Sequence, residues 1–421
     1  MTQWLPRALF CSRMRGYRPF AGGRTMRKSL SLIRTLALLP LLAACATRPP
    51  PAIDSTRIDT TAAQAMQAAH VPGLALAVIE DGRVVYQQAY GFADVESQRP
   101  LTTDTIMYGA SLTKAVFAYM VAGLVREGVI DLDAPLPRQL KKPLPDYEKY
   151  ADLKGDERWR QVTPRMLLSH SSGLLNWRWI NEDKKLDFKF DPGSRYVYSG
   201  EGIAIMQLVV EERTGRPVEA LIQERVFDRF GMRNSSLTWR PDFAAHVVTH
   251  YGEKGERIEH DRRRSARAAG SMDTTLEDMA KFLAGVLNDP ATGPMLAPQI
   301  KIVSPQQFPS HWPGSTDIND GTRLSAALGW IVFKSKAGPA FFKEGADDGT
   351  QNLMLGLRDG KRGIVMLSNS SNARNLFLPM TEAAFGPICL PWFWMGYVPY
   401  DRPDLMGLQH RDHPVVSAGC R

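Results

Sequence analysis

The sequence predicts an α/β fold, an antiparallel sheet flanked by helices and interrupted by a mostly helical insertion. Three observations carry that expectation. β-leaning apolar runs stand at both ends of the core, at 74–79 and 84–90 and again at 331–334, 352–357 and 363–367. The stretch between them is rich in helical patterns. Asp81-Gly82 and Asp359-Gly360 fall between neighbouring runs, as the turns of antiparallel hairpins do. With 421 residues, 44% hydrophobic and 23% charged, the chain is globular. Collagen, a coiled coil, a disulfide miniprotein and a wholly disordered chain are excluded.

The elements follow in order. Residues 1–44 hold Arg7, Arg13, Arg15, Arg18, Arg24, Arg27, Lys28 and Arg34 and no acid. Without those eight, 44 basic residues face 44 acidic ones, so the net charge of +8 belongs to this leader. A nucleic-acid partner is therefore not expected. From Met26, which reads as the translation start, a basic segment leads into an apolar run at 35–44 that ends in small residues. This is the pattern of a secretory signal, and ten residues are too few for a membrane-spanning helix, which needs about 20. Leu42-Ala43-Ala44-Cys45 resembles the lipobox of bacterial lipoproteins. That resemblance implies lipidation of Cys45 and export to the periplasmic face of the envelope, with an ordinary signal cut nearby as the alternative, and Ala46 after the cysteine resembles lipoproteins sorted to the outer membrane.

Residues 45–60 read as the lipidated cysteine and a Pro-rich tether. Residues 61–125 and 270–384 should form the sheet domain, 126–269 the helical insertion, and 385–421 an aromatic-rich tail. Helices are expected at 111–128, with Gly128 as the C-terminal glycine, and at 163–170, 201–214, 217–230 and 274–287. Residues 137–162 and 240–268 read as loop-rich. The tail has five aromatics within 391–400 and fits either a cover over the sheet or a lip of the binding site. In an oxidising compartment Cys389 and Cys420 either pair or remain free thiols.

Chemistry concentrates first at Gly109-Ala110-Ser111-Leu112-Thr113-Lys114. Residues i and i+3 share one helix face, so a hydroxyl and an amine come within reach of each other at a helix start. A neutral amine there can accept the serine proton. Alone, S-x-x-K is a weak signal.

The succession around it is specific. VPGLALAV, PLTTDTIMYGASLTKAV, VTPRMLLSHSSGL, DPGSRYVYSGEGI, RVFDRFGM, ARAAGSMDTTLEDMAKFL and KEGADDG followed by MLSN stand in one order over residues 66–370. Together they resemble the superfamily of serine β-lactamases, penicillin-binding proteins and related esterases, closest to the class C β-lactamase-like branch. The resemblance implies Ser111 as nucleophile, Lys114 as its proton partner and Tyr198 as general base and then acid. It places Lys343 and Gly345 on a substrate-lining strand, and the backbone N–H groups of Ser111 and Ala346 in an oxyanion hole. A phenol of ordinary pKa near 10 needs neighbouring cations to work at neutral pH, and two lysines would supply them. Glu344 replaces the family's threonine and, by strand alternation, should face away from the site.

Gly200 stands where class C β-lactamases and DD-peptidases carry asparagine. Losing that amide weakens recognition of an acylamino side chain by about 1–3 kcal/mol. The sequence thus favours a serine hydrolase acting on an ester or amide carbonyl through an acyl-serine, with esterase-like preference. β-Lactam or peptidoglycan-peptide cleavage is the alternative, and a non-catalytic envelope binding protein is the rival from another class. No cofactor and no metal are called for, a small-molecule ester, amide or peptidoglycan-like compound is the expected partner, and a monomer is expected. His246 and His250 have the spacing of zinc ligands but lack the intervening glutamate. Arg262-Arg263-Arg264 reads as a solvated basic run.

Overall fold

The computed structural model describes residues 53–400 apart from Trp312 and Pro399. The leader, Cys11, Met26, Cys45 and Cys420 lie outside the described residues. Nine strands form one antiparallel sheet. They are β1 (Gly73–Glu80), β2 (Arg83–Asp94), β3 (Arg99–Pro100), β4 (Ile300–Lys301), β5 (Ser325–Ala326), β6 (Ile331–Ser335), β7 (Gly338–Asp347), β8 (Thr350–Leu357) and β9 (Arg362–Ser368). Their spatial order is β3-β2-β1-β9-β8-β7-β6-β5-β4. The first and last thirds of the chain therefore meet where β1 pairs with β9, Leu74 opposite Ser368 and Ile79 opposite Gly363. Asp81 and Gly82, with φ of 49° and 72°, make the tight turn between β1 and β2.

β1 is buried on both faces, because the sheet is covered on both. Ala75, Ala77 and Ile79 join one apolar core with α2 (Leu112–Arg126) and α4 (Leu276–Asn288). Leu74, Leu76 and Val78 join the other with α1 (Ser55–Ala68) and α5 (Phe377–Phe385). Period-two alternation thus sends alternate side chains into separate cores. Trp392, Trp394 and Tyr397 are buried in the second core.

α1 begins at Ser55, inside the stretch read as a tether, because the Asp54 carboxylate accepts from the Arg57 N–H and caps it. β7 extends well beyond its motif although Pro339, Lys343, Glu344 and Gly345 break its apolar alternation. α3 (Gly200–Thr214) is capped by the Ser199 hydroxyl, which accepts from the Gly202 N–H at 2.8 Å. The segment 217–230 is interrupted by a π turn at Gln223–Phe227. Cys389 is disulfide-bonded. Among the described residues no helix is long and apolar enough to cross a membrane.

Candidate active site

Ser111 occupies the N-cap position of α2, yet its side chain makes no capping hydrogen bond. A serine in that position ordinarily spends its oxygen on the first free N–H groups of the helix. Here the hydroxyl instead accepts from Lys114 Nζ at 3.0 Å. Ala110, immediately before it, has φ of 46°, a left-handed conformation that costs a non-glycine residue energy and re-aims the chain. The Thr113 hydroxyl donates to the Ala110 carbonyl at 2.6 Å and holds that turn.

Lys114 is wholly buried, and its Nζ also donates to the Ala269 carbonyl. Burial pushes its pKa below the ordinary lysine value, and the nearby Lys343 ammonium pushes the same way, against the pull of Tyr198. The amine is thereby brought closer to the neutral form that can accept a proton.

Tyr198 stands just before the cap of α3, and its hydroxyl accepts from Lys343 Nζ at 3.2 Å. Burial alone would raise this phenol. The charges of Lys114 and Lys343 outweigh burial, and with hydrogen bonds from Ser111 and Lys114 they bring it down to about 8. Both ammonium groups lie 5.0 Å from the centroid of its ring. Lys343 reaches the phenol from β7, where its Nζ also donates to the Glu344 carbonyl at 2.7 Å.

His170 packs on Tyr198 with ring centroids 4.4 Å apart. Burial, followed by repulsion from the two lysines, keeps the imidazole far below its ordinary pKa, so it is neutral. Its Nδ1 accepts the Ser199 N–H at 3.2 Å, which ties the phenol's neighbour to the SHSSG turn.

These groups open on one cavity of about 210 Å³, lined by Ser111, Tyr198, Lys343, Ala346, Asn176 and Trp177 among others. Three sequence expectations change in the structure. Gly345 does not line the cavity. A Cβ there would lie 2.4 Å from the Gly109 carbonyl oxygen and 3.1 Å from the Leu112 backbone nitrogen. The glycine lets β7 pack against the start of α2. Glu344 does not face away from the site but is among the residues lining the cavity, because β7 turns its end into the cavity wall. It is buried, and its carboxylate accepts from Arg374 Nη2 at 3.2 Å. A charge enclosed there needs a counter-ion. The basic run is also not wholly solvated, since Arg263 lies 3.6 Å from the centroid of the Tyr108 ring and 3.6 Å from buried Asp273.

Gly200 has a cause that the sequence hides. A Cβ at this position would lie 2.6 Å from Cη2 of Trp177 and 2.8 Å from the Asn176 carbonyl oxygen. The indole fills the room that a side chain at 200 would take, while Asn176 Oδ1 accepts the Gly200 N–H at 2.9 Å. Asn176, Trp177, Phe308 and Arg374 line the cavity without any motif to announce them. Phe308 meets Tyr198 edge-on with centroids 5.3 Å apart. His250 is buried beside His260 at 2.9 Å while His246 is exposed, so the two do not share a site. Among the described residues no cluster of His, Cys, Asp and Glu is built to hold a metal.

The fold and this constellation define an S-x-x-K serine site on a mixed α/β scaffold. The family model described as Beta-lactamase matches residues 58–383, and the chain belongs to that family. It is 32% identical over 206 residues to the esterase EstB of Burkholderia gladioli, covering 43% of this chain and 50% of the relative. It is 30% identical over 207 residues to a D-aminopeptidase of Brucella anthropi, covering 43% and 37%. The chain thus spans half or less of the length of these curated relatives. Among solved structures, the D-alanine carboxypeptidase AmpC of Burkholderia cenocepacia superposes with a TM-score of 0.63 at 17% identity, over 79% of this chain and 97% of that one. That likeness is one of fold.

Proposed function

We propose that the protein is a serine acyl hydrolase that works through an acyl-Ser111 intermediate. The observation that supports this most is a serine hydroxyl freed from capping and 3.0 Å from a buried lysine, beside a phenol lowered to about 8. In the proposed reaction Ser111 Oγ attacks the carbonyl carbon and its proton passes to the Lys114–Tyr198 pair. The oxyanion forms against the N–H groups of Ser111 and Ala346. As the carbonyl re-forms, the bond to the leaving group breaks and Tyr198 returns the proton to it. Water then attacks the acyl-serine and regenerates the hydroxyl.

An esterase-like preference is favoured because Trp177 stands where an amide-recognising side chain at 200 would project. β-Lactam or D-amino-peptide cleavage is the second reading, supported by the D-aminopeptidase relative. A fluorophosphonate probe should label the wild type and not Ser111→Ala. Equal labelling of both would remove the assignment, as would failure to label either. A panel of 4-nitrophenyl esters, nitrocefin and D-Ala-D-Ala peptides separates the two readings, with esters expected to turn over fastest. Export and lipidation at Cys45 are proposed from the leader. Incorporation of a labelled fatty acid that Cys45→Ser abolishes is the expected result.

A further inference from the structure

Beside the catalytic cavity lies a larger groove of about 580 Å³. Trp177, Tyr108 and Asp347 line both, so the two spaces adjoin across these side chains. The groove carries a stacked indole pair, Trp177 and Trp179, with ring centroids 4.9 Å apart and planes only 10° from parallel. Tyr147 and Tyr150 add further aromatic surface.

Trp177 is held in place from below, because its six-membered ring rests over Gly200, and Lys114 Nζ lies 5.8 Å from its ring centroid. Trp179, by contrast, remains 60% exposed after stacking, the most exposed of the large apolar side chains among the described residues. An indole left in water next to a nucleophile gains by being covered. One of the groove's three cations is already paired. Arg178 pairs with Glu201 at 2.9 Å and with Asp152 at 3.3 Å. Lys149, Arg267 and Asp347 also line the groove, but its stacked indoles are the surface that tells a flat ring from a chain.

We propose that this groove is the specificity subsite for a planar aromatic group joined to one side of the scissile carbonyl, with Trp177 and Trp179 as its stacking platform. The proposal rests on the acyl-hydrolase reading. Offset stacking on an indole supplies discrimination that an aliphatic chain of equal bulk does not receive.

Two ester pairs matched in size test it: methyl phenylacetate against methyl octanoate, and benzyl acetate against heptyl acetate. The wild type should prefer the aryl member of at least one pair in kcat/KM. Trp179→Leu should lower that aryl-to-alkyl ratio about three- to tenfold, the range that one aromatic pair commands. Trp177→Leu should lower it at least as far. Should Trp177→Leu fail to fold, the exposed Trp179 carries the test alone. Turnover of all four esters with the ratio unchanged in Trp179→Leu overturns the subsite and leaves the hydrolase reading standing. No ester turnover together with no Ser111 labelling overturns both.

Discussion

At Tyr198 two opposing effects meet, and the outcome decides the pH at which the site works. Burial disfavours the phenolate, and two ammonium groups favour it more strongly, giving a value of about 8. Below that pH the phenol keeps its proton and is a poor base, so kcat/KM should climb with pH and level off above about 8. The apparent value belongs to the coupled tyrosine and lysines together. Tyr198→Phe should lower kcat about 10²–10⁴-fold and erase this limb. Lys343→Met removes one of the cations that lower the phenol, so the limb should move to higher pH. A limb unmoved in Lys343→Met would show that another group titrates. Position 200 gives a second residue-scale prediction. Gly200→Asn alone should gain no nitrocefin turnover, because the indole of Trp177 blocks the new side chain. Any gain should require Trp177→Ala as well, which a comparison of the single and double variants would reveal. The approach of Lys114 to Ser111 was legible from i, i+3 helix spacing, whereas Tyr198 was marked only by its resemblance to the family's motif. Trp177 was not legible, since its role depends on the approach of a loop to the start of α3, which no local pattern encodes.

Between elements, the decisive contact is β7 against the N-terminus of α2. It brings Lys343 to Tyr198 and leaves no room for a Cβ at 345. Gly345→Ala should therefore destabilise the protein by about 1–3 kcal/mol through overpacking, measured by denaturant unfolding. It should also cut kcat by shifting Lys343 relative to the phenol. A variant of wild-type stability and rate would contradict that packing role. Hairpin turns and amphipathic helices were readable from periodicity, as β1, β2 and α4 show. β7 was harder, because its charged residues serve the cavity and the Arg374 ion pair and so depart from strand alternation. Functional strands lose the pattern that would announce them.

Across the whole molecule, the C-terminal aromatics link the second core to the cavity's rim. Trp394 Nε1 donates to the Ser304 hydroxyl at 3.1 Å, and the Trp394 carbonyl accepts from Gln307 N–H at 2.8 Å. Gln307 and Phe308 in turn line the catalytic cavity. Trp394→Ala should cost about 3–5 kcal/mol in unfolding free energy and raise KM more than it lowers kcat. Loss of stability with KM unchanged would confine the tail to the core. The α/β class was legible because strands at both chain ends bracket helices. The way residues 385–400 reach the site was not, since it runs through contacts about 90 residues apart.

If Ser111 is the nucleophile, a covalent acyl-enzyme forms during turnover. Rapid quenching of the enzyme during turnover of a slow ester, followed by peptide mass mapping, measures it directly. An acyl group on the peptide carrying Ser111, absent in Ser111→Ala, is the predicted result. An acyl adduct on a different residue, or undiminished turnover by Ser111→Ala, would contradict it.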